Sequence, residues 1–137
     1  MARRSRGFCG TALFAALIAG GSCIDPSGPK EWVCTSEESL VVTVGPGLKP
    51  RISWTPDCIA FYLFVLDSAA LDQEPAWALL SRDAVSSQIP ASVIYGSRPP
   101  NTVESGPASP LLAGHTYSVF VGVRQGGLGI GEINFTR

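Results

Sequence analysis

The sequence predicts an all-β protein: one β-sandwich of about seven strands, following a cleaved N-terminal signal. Three observations carry this. Short apolar runs rich in branched and aromatic residues recur along the chain, and 15 glycines and 11 prolines punctuate the intervals between them. Tyr117 to Val123 alternates in character along its length. The spacing of runs and turns is that of a sandwich rather than of helices.

The first segment is a signal and not part of the fold. Met1 to Arg6 carries three arginines, Phe8 to Ala19 is apolar, and Gly20-Gly21-Ser22 is small before Cys23. A basic start, a short apolar middle and a small-residue end are the layout of a secretory signal peptide, assigned to residues 1–22. Roughly a dozen apolar residues make about 18 Å of helix, short of a ~30 Å hydrocarbon core, so this segment does not read as a membrane span. Residues 23–38 then form a tether and N-terminal segment, with Pro26 and Pro29 denying it regular structure.

The sandwich is assigned to residues 39–137. Ser39 to Val44 is a β-branched run stopped by Gly45-Pro46-Gly47. Arg51 to Trp54 alternates, placing Ile52 and Trp54 on one face, and Thr55-Pro56-Asp57 breaks it. Ile59 to Leu66 is apolar at nearly every position, the pattern of a strand covered on both faces or of one with an apolar outer face. Ala76 to Leu80 reads as a strand or a helical turn, and Ser92 to Tyr95 as a short strand. Pro99, Pro100, Gly106, Pro107 and Pro110 predict a loop that no regular element crosses. In Tyr117 to Val123, Tyr117, Val119, Val121 and Val123 share one face, with Ser118, Phe120 and Gly122 on the other. Gln125-Gly126-Gly127 is a hairpin turn, and Ile130 to Thr136 returns as the closing strand.

Two stretches carry a family resemblance. Ile52-Ser53-Trp54-Thr55-Pro56 and Leu111 to Val119 resemble a fibronectin type III domain and, more loosely, the immunoglobulin-like group. The resemblance implies a buried Trp54 on the second strand. It also implies that Tyr117 is a tyrosine-corner residue, with Leu111 six positions before it. Ala113 departs from the family's usual proline. The expected core is therefore Ile52, Trp54, Leu111, Tyr117, Val119, Val121 and Val123. Ala19 to Cys23 similarly resembles a bacterial lipobox, which implies lipidation of Cys23; Gly20 stands where that motif usually has leucine.

Cysteine arithmetic bears on the same residue. Cys9 leaves with the signal, so three cysteines remain. An odd cysteine in an exported protein calls for an explanation. Lipidation of Cys23 supplies one and leaves Cys34 and Cys58 as an even pair; plain cleavage after Ser22 is the alternative. Cys34 and Cys58 read as a disulfide staple, with two free thiols or a redox pair as the other readings.

Little else in the chain points to chemistry. Without the signal, seven basic residues face eleven acidic ones, and no basic patch favours nucleic acid. His115 is the single histidine and reads as a solvated turn residue. No ligand spacing indicates a metal, and no motif indicates a cofactor. The carboxylates Asp57, Asp67, Asp72, Glu74, Asp83, Glu104 and Glu132 are scattered singly. Phe61, Tyr62, Leu63 and Phe64 form the candidate interaction surface: either Phe61 and Leu63 or Tyr62 and Phe64 face outward, toward a covering loop or a partner.

The functional expectation is a non-catalytic bacterial envelope lipoprotein, held to the membrane by its N-terminal lipid. It acts as a binding or structural module for a protein or glycan partner. Two alternatives stand beside it. One is a small carbohydrate-active enzyme or glycan-binding domain using loop carboxylates and aromatics such as Trp32 and Trp77; the other is an accessory subunit of an envelope complex. A soluble secreted or periplasmic protein is the alternative address.

Overall fold

The computed structural model describes residues 32–70, 72–124 and 129–137. These residues form two antiparallel sheets, all-β and without helix among the described residues. There are eight strands: β1 (Val41–Val44), β2 (Arg51–Thr55), β3 (Tyr62–Asp67), β4 (Trp77–Ser81), β5 (Ser92–Ile94), β6 (Thr102–Glu104), β7 (Thr116–Gly122) and β8 (Gly129–Thr136). The smaller sheet has the order β1-β2-β5 and the larger β6-β4-β3-β7-β8. The signal, Cys23, the tether up to Glu31 and the Gln125-Gly126-Gly127 turn lie outside the described residues.

Alternation decides which side chains enter the core. In β2, Ile52 and Trp54 are buried while Arg51 and Thr55 are exposed. In β3, Leu63 and Val65 turn inward, and Tyr117, Val119 and Val121 of β7 meet them from the neighbouring strand. Leu111 and Val123 complete the expected set, all within one continuous core. Burying each such aliphatic side chain stabilises the fold by about 1.5–3 kcal/mol.

Two expectations are corrected. The proline-rich stretch from Pro99 to Pro110 does contain a strand, β6, which pairs Thr102–Glu104 with Leu79–Ser81. The prolines flank it and leave room for three residues, the length that an edge position tolerates. Ile59 to Leu66 is not one strand: β3 starts at Tyr62, while Ile59 and Ala60 make single bridges to Val33 and Ile89. Trp77–Ser81 is a strand, which settles the Ala76 to Leu80 ambiguity: β-pairing on both sides overrides the helical propensity of Ala78, Leu79 and Leu80.

The two poles of the sandwich are tied by different means. At one, Cys34 and Cys58 are disulfide-bonded, with Cα atoms 4.9 Å apart. Trp54 joins this pole through an Nε1–H donated to the Cys58 carbonyl at 2.8 Å. At a sequence separation of 24, the cross-link contributes about 3 kcal/mol by restricting the unfolded chain. At the other pole, the Tyr117 hydroxyl accepts the Leu112 N–H at 2.8 Å, a tyrosine corner. Arg137 closes this end, stacking its guanidinium on Phe135 and donating to the Gly45 carbonyl.

The corner makes a direct prediction. Tyr117→Phe keeps the buried ring and deletes the acceptor, so stability falls by about 1 kcal/mol. The urea midpoint should drop with an unchanged slope; an unchanged midpoint would show that the corner bond is energetically idle.

Candidate functional site

β3 lies at the centre of the larger sheet, so whatever it points outward occupies the middle of that face. Tyr62 and Phe64 point outward and are half-buried. Leu63 is fully buried at 0% exposure and is removed from the candidate surface. The reason is phase: an alternating strand gives one face to the core, and Leu63 falls in step with Val65. Phe61 precedes the strand, with its N–H on the Gly122 carbonyl and its own carbonyl accepting from Ser81.

The register assembles an apolar face around Tyr62 and Phe64. Phe64 stands opposite Ala78 on β4 and Phe120 on β7. Tyr62 stands opposite Leu80 and Gly122, and Leu80 in turn opposite Val103. Leu66 continues the row toward Ser118, where the face turns polar. Ser118 donates to Asn134 Oδ1 at 2.6 Å and lies 3.3 Å from the Ser68 hydroxyl. Glu132, exposed and opposite Phe120, bounds the face on the β8 side.

Gly122 shapes this surface by what it lacks. A Cβ there would collide with the Tyr62 ring, so the ring lies over the bare backbone of β7. The same ring stacks on Phe64 with centroids 5.0 Å apart and planes 25° apart. Partial burial pushes the Tyr62 phenol above its ordinary pKa. The two rings thus hold one another and fill the glycine gap.

Several of the remaining candidates are spent on local structure. Asp67 and His115 pair at 2.7 Å across the ends of β3 and β7. That hydrogen bond, helped by the Ala69 N–H, holds the Asp67 carboxyl below its usual range. His115 is therefore paired and not a lone solvated turn residue. No hydroxyl or thiol hydrogen-bonds to it among the described residues. Asp83 is likewise held low by the Val85 N–H and the Ser86 hydroxyl, the bonds of a tight turn. Glu104 accepts the Trp77 Nε1–H at 2.7 Å beside a cleft of about 400 Å³ lined by Tyr95, Pro107 and Leu111. Cys34, Cys58 and Glu38 lie within 4.8 Å of one another. The disulfide leaves no thiolate to ligate a metal, and Glu38 accepts the Thr35 N–H.

Phe120, Leu80, Val103 and Gly122 were not among the expected surface residues. The alternation of β7 placed Phe120 and Gly122 outward, which was a usable signal. Their meeting with β3 depends on long-range register, which local pattern does not encode. Comparison of the chain with family models, with curated proteins and with solved structures returned no match.

The ring-over-glycine contact is testable. Gly122→Ala should cost about 1–3 kcal/mol by overpacking, and most of that penalty should vanish in a Tyr62→Thr background. Equal penalties in the two backgrounds, read by urea unfolding as a double-mutant cycle, would show that the ring is not what meets the new methyl.

Proposed function

We propose that this chain is a non-catalytic envelope lipoprotein whose domain docks another protein through the outer face of the larger sheet. One observation carries the reading: Tyr62, Phe64 and Phe120, with Leu66, Leu80 and Val103, form a half-exposed apolar face at the centre of that sheet. Contiguous apolar surface of this kind marks interaction sites, and aromatic side chains dominate the energetics of such contacts.

A protein partner fits better than a glycan. Sugar stacking needs an aromatic ring with an open flat face, whereas Tyr62 and Phe64 each give one face to the other. Of the two expected sugar platforms, Trp77 is 1% exposed with its indole N–H on Glu104, and Trp32, 47% exposed, is not part of this face. The carboxylates that form hydrogen bonds each serve a separate turn or neighbour, which favours a binding role over paired acid–base chemistry. The accessory-subunit reading is a special case of protein docking and shares the same surface.

The lipid anchor at Cys23 and the envelope address rest on the signal-like N-terminus and on the cysteine count. The Cys34–Cys58 disulfide supports an oxidising compartment. The fibronectin type III-like reading draws support from the tyrosine corner and from a three-stranded sheet facing a larger one.

The test is the size of the native assembly in detergent extracts of the producing cells' envelopes. Wild type should migrate above monomer size, and Phe64→Thr with Phe120→Thr should collapse it to monomer while the purified variant still unfolds cooperatively. A wild-type monomer, or an assembly indifferent to both substitutions, would overturn the docking role.

A further inference from the structure

The disulfide pole exposes apolar side chains that the docking face does not use. Trp32 is 47% exposed, Val33 46% and Val85 70%. Val33, Val85 and Arg124 line one shallow cleft, so these elements share a single end of the sandwich. The segment that bears Trp32 is held firmly. Ile59 donates its N–H to the Trp32 carbonyl, the Cys34 N–H bonds the Ile59 carbonyl at 2.9 Å, and Cys34 is cross-linked to Cys58. Val85 sits in a turn in which the Asp83 carboxylate accepts the Val85 N–H and the Ser86 hydroxyl.

We propose that this pole rests against the lipid bilayer, with Trp32, Val33 and Val85 in the interfacial layer. The inference rests on the lipid-anchor reading and deepens it. Eight residues, 24–31, separate Cys23 from Trp32. Fully extended, they reach about 30 Å at most. An anchored Cys23 therefore keeps this pole, where the chain enters the domain, closest to the membrane. Tryptophan is the side chain best suited to that layer, its ring an apolar body with one polar N–H.

Charge points to the kind of lipid surface. The pole carries Arg82 and Arg124 but also Asp83, Glu37 and Glu38, and Arg124 lies close enough to Asp83 to help hold that carboxyl low. With two positive groups against three negative ones, the pole is slightly negative and gains nothing from anionic headgroups. The contact is then apolar, and neither anionic lipid nor low salt strengthens it. It also leaves the β3 face standing to the side, open to a neighbour in the envelope.

The protein carries its own probe, since Trp54 and Trp77 are buried at 3% and 1% and Trp32 is the exposed tryptophan. The mature protein purified from envelopes is placed in phosphatidylcholine vesicles. Brominated lipid should quench the Trp32 emission and aqueous iodide should not. Trp32→Phe should abolish the bromolipid response, and Val85→Asp, at an exposed position, should reduce it to the same level. Replacing part of the lipid with phosphatidylglycerol should not strengthen the response. Iodide quenching without bromolipid quenching, or a response unaffected by Val85→Asp, would overturn the proposal. The mass of the purified protein reports lipidation separately. An unlipidated protein would sink the anchor reading, and its Trp32 response on added vesicles would still decide whether the pole contacts lipid.

Discussion

The structure turns on a single constraint: β3 is a central strand of a five-stranded sheet and is apolar on both faces. Its inward residues, Leu63 and Val65, meet the core that the smaller sheet completes with Val42, Ile52, Trp54 and Val93. Among the described residues its outward side chains have no second sheet to meet, and they solve part of the problem among themselves. Tyr62 covers Gly122, stacks on Phe64, and Phe64 faces Phe120 across the ladder. What is left half-exposed is the surface on which we base the proposed docking role. Fold and proposed function therefore share one strand.

The two ends of the sandwich serve different needs. The corner end gathers Tyr117, His115 paired with Asp67, and Arg137 over Phe135, which together fix where β7 begins and β8 stops. The disulfide end fixes how the chain enters. It clamps Trp32 to Cys34 along Ile59, so the orientation of the entering segment is that of the whole domain. Under the proposed lipid anchor, a rigid entry would let a short tether impose a preferred attitude on a membrane, where a flexible one would let the domain tumble.

Much of this was legible in the sequence, for physical reasons that can be named. Period-two alternation showed which faces of β2 and β7 turn inward, because a strand puts successive side chains on opposite sides. The corner was legible in Leu111 and Tyr117, and the disulfide in the reading of Cys34 and Cys58 as a staple of a small domain. Other features were hidden because they depend on long-range pairing. Leu63 and Phe64 are equally apolar, and the phase of β3 emerges only when β4 and β7 pair with it. β6 was hidden among prolines that forbid a long strand and permit a three-residue edge. The role of Gly122 was invisible until Tyr62 was seen lying over it. The pairing of His115 depended on Asp67, 48 residues away.

The central claim, a docking face centred on β3, is tested most directly by photo-crosslinking in living cells. A benzophenone side chain would be placed at Phe64 or Phe120 and, as a control, at the exposed Val41 on the opposite sheet. The account predicts one discrete adduct of the same mass from both positions on the face and none from Val41. No adduct from either face position, or the same adduct from all three, would contradict it.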